Sequence, residues 1–203
     1  MWEGAAVANL RRVLGLVALV AAVAPASASA TEWFYERQPI PKGTTVEVPS
    51  QGANLKLNMK WPKVIDIRMA CSAKGVTAIW NGPENGFDEV RSISFACKSE
   101  SGGVVLRPRG TWTSKLVGTS LPLTDDWSGV ELEVIVRRHN YGVFAGSLTP
   151  TQGDSDSQAG NDDLDAELRF HGETLSGPNG AVLSFNGAYH LGPSRGHGAT
   201  GEV

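Results

Sequence analysis

Apolar and polar residues alternate with a period of two through most of the chain after residue 31. Leu55, Leu57 and Met59 alternate with Asn54, Lys56, Asn58 and Lys60; Ile65, Ile67 and Met69 alternate with Asp66 and Arg68; Ile93 and Phe95 alternate with Ser92 and Ser94. Val130, Leu132, Val134 and Val136 share one face of a segment whose other face carries Glu131 and Glu133. Successive side chains of an extended chain point to opposite faces, so this pattern predicts strands with one face in a core and one in solvent. No stretch holds the 3.6-residue apolar period over the ten or more positions an amphipathic helix needs. The expected fold class is all-β, an antiparallel β-sandwich or β-barrel-like domain.

Glycine, proline and asparagine divide these strands. Thr44 to Val48 reads as a strand, Pro49 to Gly52 as a turn, and residues 55–60 as the return strand, ended by Trp61-Pro62. Residues 64–71, 76–80 and 90–97 read as three strands, with Asn81-Gly82-Pro83 and Asn85-Gly86 as turns between the second and third. Further strands are expected around residues 104–106, 112–116, 130–138, 141–148, 164–170 and 181–189. The connection 121–128 places Trp127 at a turn beside Asp125-Asp126. Residues 149–163 lose nearly all apolar character and predict a flexible acidic loop, and the glycine-rich residues 193–203 predict a disordered tail. A single β domain is therefore expected over 31–192.

The first thirty residues differ from everything that follows. Arg11 and Arg12 precede an apolar run to Ala24, then Pro25 and the small residues Ala28-Ser29-Ala30, which is the arrangement of a helical secretory signal peptide. Twelve helical residues span about 18 Å, short of the ~30 Å hydrocarbon core, so the run is a poor permanent membrane span. Cleavage near Ala30 is expected, leaving the protein secreted or associated with the cell wall. The paired arginines also admit twin-arginine export, but the strong apolar run favours the general route. Beyond Ala30 there remain sixteen Lys plus Arg against twenty Asp plus Glu, a formal charge near −4. That balance, without a basic run, argues against a nucleic-acid partner or an anionic membrane surface.

Export changes the meaning of the two cysteines. Cys71 and Cys97 each end a predicted strand, and in an oxidising compartment a disulfide is the expected use of such a pair. In a flat three-strand meander they would flank the middle strand at about 9.6 Å, beyond the ~7 Å limit for bridged Cα atoms. The bond therefore predicts that residues 64–71 and 90–97 are direct neighbours or lie in facing sheets, with 76–80 displaced.

The order of signal peptide, Glu32-Trp33, a strand ending in Cys71 followed by Gly75, a strand ending in Cys97 and Trp112-Thr113-Ser114-Lys115-Leu116 resembles small uncharacterised secreted proteins of high-GC Gram-positive bacteria (actinobacteria). The resemblance covers residues 32–116. It implies export and a β fold, and it carries no activity and no functional residue.

Catalytic signatures are missing: there is no Gly-x-Ser-x-Gly and no His-Glu-x-x-His. With four histidines in the chain, a triad built on His139, His171 or His190 would be an arbitrary choice, and His171 and His190, each at a strand end, read as surface residues. Gly196-His197-Gly198-Ala199-Thr200-Gly201 matches a dinucleotide-binding fingerprint in letters only, since no helix can follow it. Asp154, Asp156, Asp162, Asp163 and Asp165 offer oxygen ligands, but Ala159 and Asp165 stand where an EF-hand loop needs glycine and glutamate. A solvated acidic linker is expected there, with calcium the alternative; no catalytic residue, metal ligand or cofactor is assigned. Tryptophans beside turns are the remaining candidates, because an indole face stacks on sugar rings as readily as it packs in a core. Trp61 and Trp127 are the expected stacking residues. The resulting expectation is a secreted, non-enzymatic β domain binding a cell-envelope or carbohydrate ligand. The alternatives are a secreted hydrolase whose site forms only in the fold, and a membrane β-barrel, against which the charged outer faces and short predicted strands argue.

Overall fold

A computed structural model describes residues 31–35, 38–62, 65–118, 122–154, 166–192 and 199–202. Among the described residues fourteen strands form in chain order: β1 (Glu32–Tyr35), β2 (Gln38–Pro39), β3 (Thr45–Trp61), β4 (Ile65–Asn81), β5 (Gly86–Lys98), β6 (Val104–Arg109) and β7 (Trp112–Val117). There follow β8 (Thr124–Asp125), β9 (Trp127–Val136), β10 (His139–Leu148), β11 (Thr151–Asp154), β12 (Ala166–Ser176), β13 (Val182–Leu191) and β14 (Ala199–Glu202). One 3-10 turn, Pro178–Gly180, is the sole helical element among the described residues. The fold is all-β, as the alternation predicts.

The register shows how the strands close into a barrel. β6 and β7 are one bent strand interrupted at Gly110-Thr111: Val104 to Arg109 pair with Val136 to Glu131, and Thr113, Leu116 and Val117 continue onto Ser128, Asp125 and Thr124. β8 and β9 are likewise continuous apart from Asp126, and β10 runs into β11 past Thr149-Pro150, with Thr151 still opposite Thr124. Counted this way, eight long antiparallel strands follow one another in chain order, and the last, β13, pairs back onto the first, β3, from Val182↔Lys60 to Leu191↔Ser50. The result is an up-and-down barrel in which each long strand pairs with the next and the last with the first, although β5 meets β7 only over Phe87–Val90 and β10 meets β12 directly only at Ala145↔Ser176.

Its interior is a packed core, built from the inward set of each strand. Leu55, Leu57 and Met59 of β3, Ile67, Met69 and Ala73 of β4, Val130, Leu132 and Val134 of β9, and Leu183, Phe185 and Tyr189 of β13 are all buried. Between them stand exposed Lys56, Lys60, Asp66, Arg68 and Lys74. A barrel whose outer band met hydrocarbon would need the reverse arrangement, since a lysine or arginine facing lipid at mid-depth costs about 2 to 4 kcal/mol. Strand length does not carry that argument, because β3 and β4 have 17 residues each. No helix among the described residues is long and apolar enough to cross a membrane.

The small sheet β14-β1-β2 docks on one end of the barrel. Trp33 is fully buried there against the first residue of β5, where a Cβ on Gly86 would stand 2.7 Å from Trp33 Cδ1. Asn81, at the end of β4, fastens the segment. Its Oδ1 accepts from Trp33 N at 2.6 Å, and its Nδ2 donates to Trp33 O and Ile40 O, each at 2.9 Å. A buried amide with three backbone partners stabilises through satisfied hydrogen bonds that any apolar replacement would leave open.

Several sequence expectations need correction. Residues 49–52 are not a turn but the middle of β3, and 76–80 is not a separate strand but the continuation of β4. The two cysteines therefore meet across the β4–β5 ladder, but its register sets residues 90–97 against 71–77, and of residues 65–71 only Ala70 and Cys71 face β5, so the expectation that the segments 64–71 and 90–97 lie side by side fails. Within the expected acidic loop, Thr151–Asp154 is strand β11, and within the expected tail, Ala199–Glu202 is β14, paired with β1. The signal peptide, the aspartates 156–165 and residues 193–198 lie outside the described residues.

Candidate functional site

The outer face of β13, β3 and β4 carries two adjoining grooves that share Asn58. The strands pair here in flat cross-strand rows: Asn186, Lys56, Ala70 and Lys98 form one row, Ser184, Asn58 and Arg68 the next, and Val182, Lys60 and Asp66 a third. The groove nearer the hairpin 61–65 has a volume of about 760 Å³ and is lined by Trp61, Lys60, Asp66, Thr174 and Ser184 as well as Asn58. Its neighbour, about 620 Å³, is lined by Lys56, Arg68, Ala70, Lys98 and Asn186. An aromatic residue beside hydroxyl, amide and charged side chains is a surface that sugar-like ligands fit.

Trp61 ends β3 and remains partly exposed, with Tyr141 edge-on at 5.9 Å between ring centroids. Trp127 does not share this face. It is 3 % exposed and points inward from β9, where Phe170 and Tyr189 meet its ring edge-on at 5.9 and 5.8 Å. Asp125 is strand rather than turn, and the alternation that puts Leu123 and Asp125 inside takes Trp127 with them. The expectation that Trp127 stacks on a ligand fails for that reason, whereas Trp61, packed in part against the core, also lines the groove.

A polar cluster inside the barrel escaped the sequence reading. Ser114 Oγ lies 2.5 Å from Asp88 Oδ2 and also bonds Asp125 Oδ1, and Trp127 Nε1 donates to Asp125 Oδ2 at 2.6 Å. A single hydroxyl has one proton to give, so one of its two carboxyl contacts is a carboxyl O–H donating to Ser114. Burial, and then the charge of Asp125, push the Asp88 carboxyl well above its usual range, while burial raises Asp125 to about 6 against hydrogen bonds that lower it. Burial and the neighbouring charge thus favour the protonated form of Asp88 over that of Asp125, and the pair titrates as a unit. Nearby, Tyr189 Oη donates to Ser50 Oγ at 2.6 Å and Thr77 Oγ1 donates to the same oxygen at 3.3 Å. Burial raises the Tyr189 phenol to about 12.

This cluster is sealed: Asp88 is 1 % exposed, Asp125 0 % and Ser114 5 %. A signal for it exists in the alternation, because Ser114 stands between Trp112 and Leu116, and Asp125 between Leu123 and Trp127, each at an inward position. The histidines do not join it. His139 is exposed and edge-on to Tyr141 at 4.7 Å, His171 is exposed on β12, and His190 pairs with Glu167 in register, while neither groove is lined by histidine. Among the described residues no group of three or more histidines, cysteines or carboxylates is arranged to hold a metal ion. No family model matches this chain, and no curated protein or solved structure matches it either.

Proposed function

We propose that this is an exported, non-enzymatic β-barrel that binds a cell-envelope or carbohydrate ligand on its outer face, at the groove beside Trp61. The observation that carries the reading is the lining of that groove, where a partly exposed tryptophan adjoins Asn58, Asp66, Thr174 and Ser184. Export is supported by the leader-like residues 1–30 and by the Cys71–Cys97 disulfide, a bond that persists in oxidising compartments. The buried carboxyls of Asp88 and Asp125 line neither of these grooves, and neither groove is lined by a histidine, so binding without turnover is the better account.

The test is sedimentation of the secreted protein with insoluble cell-wall and polysaccharide preparations, followed by indole fluorescence. Binding should shift the emission, and Trp61→Ala should weaken binding while the far-UV and thermal signatures of the barrel persist. Hydrolysis of ester, peptide or glycoside substrates that Asp125→Asn abolishes would replace this reading with the hydrolase.

A further inference from the structure

Resting on that binding reading, we infer that the ligand is a polyanionic glycan, one carrying carboxylate or phosphodiester groups along its length, and that it runs from the Trp61 groove into the groove beside it. Both grooves share Asn58, so a ligand seated against Trp61 meets the second without leaving the face of β3. Its charged lining is unbalanced. Lys56, Lys60, Arg68 and Lys98 face Asp66 and Glu100, an excess of cations on a chain whose formal net charge is −3. Basic side chains gathered against the overall sign of a molecule focus anions onto that surface.

The row geometry sharpens the point. Lys56 and Lys98 both sit beside Ala70, one on each neighbouring strand, so two ammonium groups flank a single methyl. Strands about 4.8 Å apart place the lysine backbones about 9.6 Å from each other, with the small residue as the floor of a notch between them. Arg68 stands in the next row, 86 % exposed, with Asp66 Oδ1 at 4.0 Å. Among the described residues no carboxylate lies within ion-pair distance of Lys56, Lys60 or Lys98. Among the described residues these three cations thus face no carboxylate, and Arg68 faces only a screened one.

The experiment measures the secreted protein on immobilised polygalacturonate, poly(glycerol phosphate) and neutral dextran, at low and high salt. Binding to at least one polyanion should exceed binding to dextran and fall with salt. The double variant Lys56→Ala/Lys98→Ala should weaken it about tenfold, Lys56→Arg/Lys98→Arg should restore it, and Lys115→Ala, an exposed lysine on β7, should leave it unchanged. Preference between the two polyanions identifies the anionic group as carboxylate or phosphodiester. Equal, salt-independent binding to dextran that still depends on Trp61 would overturn the polyanion inference and leave the binding module standing. Failure to bind any glycan would overturn both.

Discussion

Cys71 and Cys97 stand directly opposite each other on β4 and β5, with Cα atoms 4.1 Å apart and their sulfurs bonded. The bond therefore joins two residues that the ladder already places side by side, and it locks the register of that hairpin instead of pinning separate sheets together. In the chain-entropy model a loop of this length contributes about 3.5 kcal/mol, a large part of the ~5 to 15 kcal/mol available to a domain. Cys71→Ala/Cys97→Ala should still form the barrel and unfold at lower urea, by roughly that amount. Unchanged unfolding midpoints for oxidised protein and double variant would show that the hairpin register is held without the bond.

The same pair of strands makes a sharper demand at Gly75, where a Cβ would stand 2.0 Å from Ser92 O. A backbone oxygen has nowhere to go inside a paired ladder. Gly75→Ala is expected to cost more than about 2 kcal/mol, whereas Gly103→Ala, with nothing within 4 Å of the new methyl, should be within about 1 kcal/mol of neutral. Chemical unfolding of the two variants side by side checks the contrast.

Two sets of carboxyls give stability opposite dependences on pH. Asp88 and Asp125 hold protons more tightly in the barrel than in the unfolded chain, so their contribution is complete in acid and is lost as pH rises through about 6 and beyond. Glu133 runs the other way: the hydrogen bond from Arg109 and then that from Asn140 lower its pKa, so its contribution is present above the usual value of 4.5 and lost as pH falls. Melting temperature should therefore decline on both sides of a maximum. Asp88→Asn should raise and flatten the high-pH limb only, and Glu133→Gln should flatten the low-pH limb only. An Asp88→Asn profile parallel to wild type would mean that the interior pair does not titrate as described.

Asn81 is the fastener between the end-docked sheet and the barrel. Asn81→Ala removes all three bonds to Trp33 and Ile40; Trp33 O keeps the bond from Ile40 N, but Trp33 N and Ile40 O lose their Asn81 partner at a cost of about 1 to 3 kcal/mol each. The expected outcome is faster hydrogen exchange confined to β1 and β2, with β9 and β13 unchanged. Uniform acceleration across all strands would show that the cap and the barrel open as one unit.

The strands themselves were legible because their inward faces are apolar without a break: Leu55, Leu57, Met59 and Val130, Leu132, Val134, Val136 need no tertiary information to be placed. What was not legible has specific causes. Pro49 reads as a breaker, yet it sits just before the stretch that β13 begins to pair at Ser50, where a missing N–H costs little. Barrel and sandwich differ only in whether β13 meets β3, and that contact joins residues more than a hundred positions apart. Asp125 was read as part of a turn because aspartate favours turns, and burial of a carboxyl needs Ser114 and Trp127, which come from elsewhere in the chain or lie across a residue of opposite parity. Trp61 kept its exposure because it closes its strand, and the lysines beside it were invisible as a group until three strands set them in rows.

A closed ring has a history as well as a shape. β3 is made early, but its second partner is β13, so from the completion of β3 until residue 191 is available one of its flanks has unpaired N–H and C=O groups, and the growing end has another. The hydrophobic interior cannot be sealed during that interval, and partly made barrels are the species most prone to pair with one another. Under the export proposed above, the chain gains from remaining unstructured until its last long strand has crossed, and the step that ends its vulnerability is the joining of the first and last long strands of the barrel, β3 and β13.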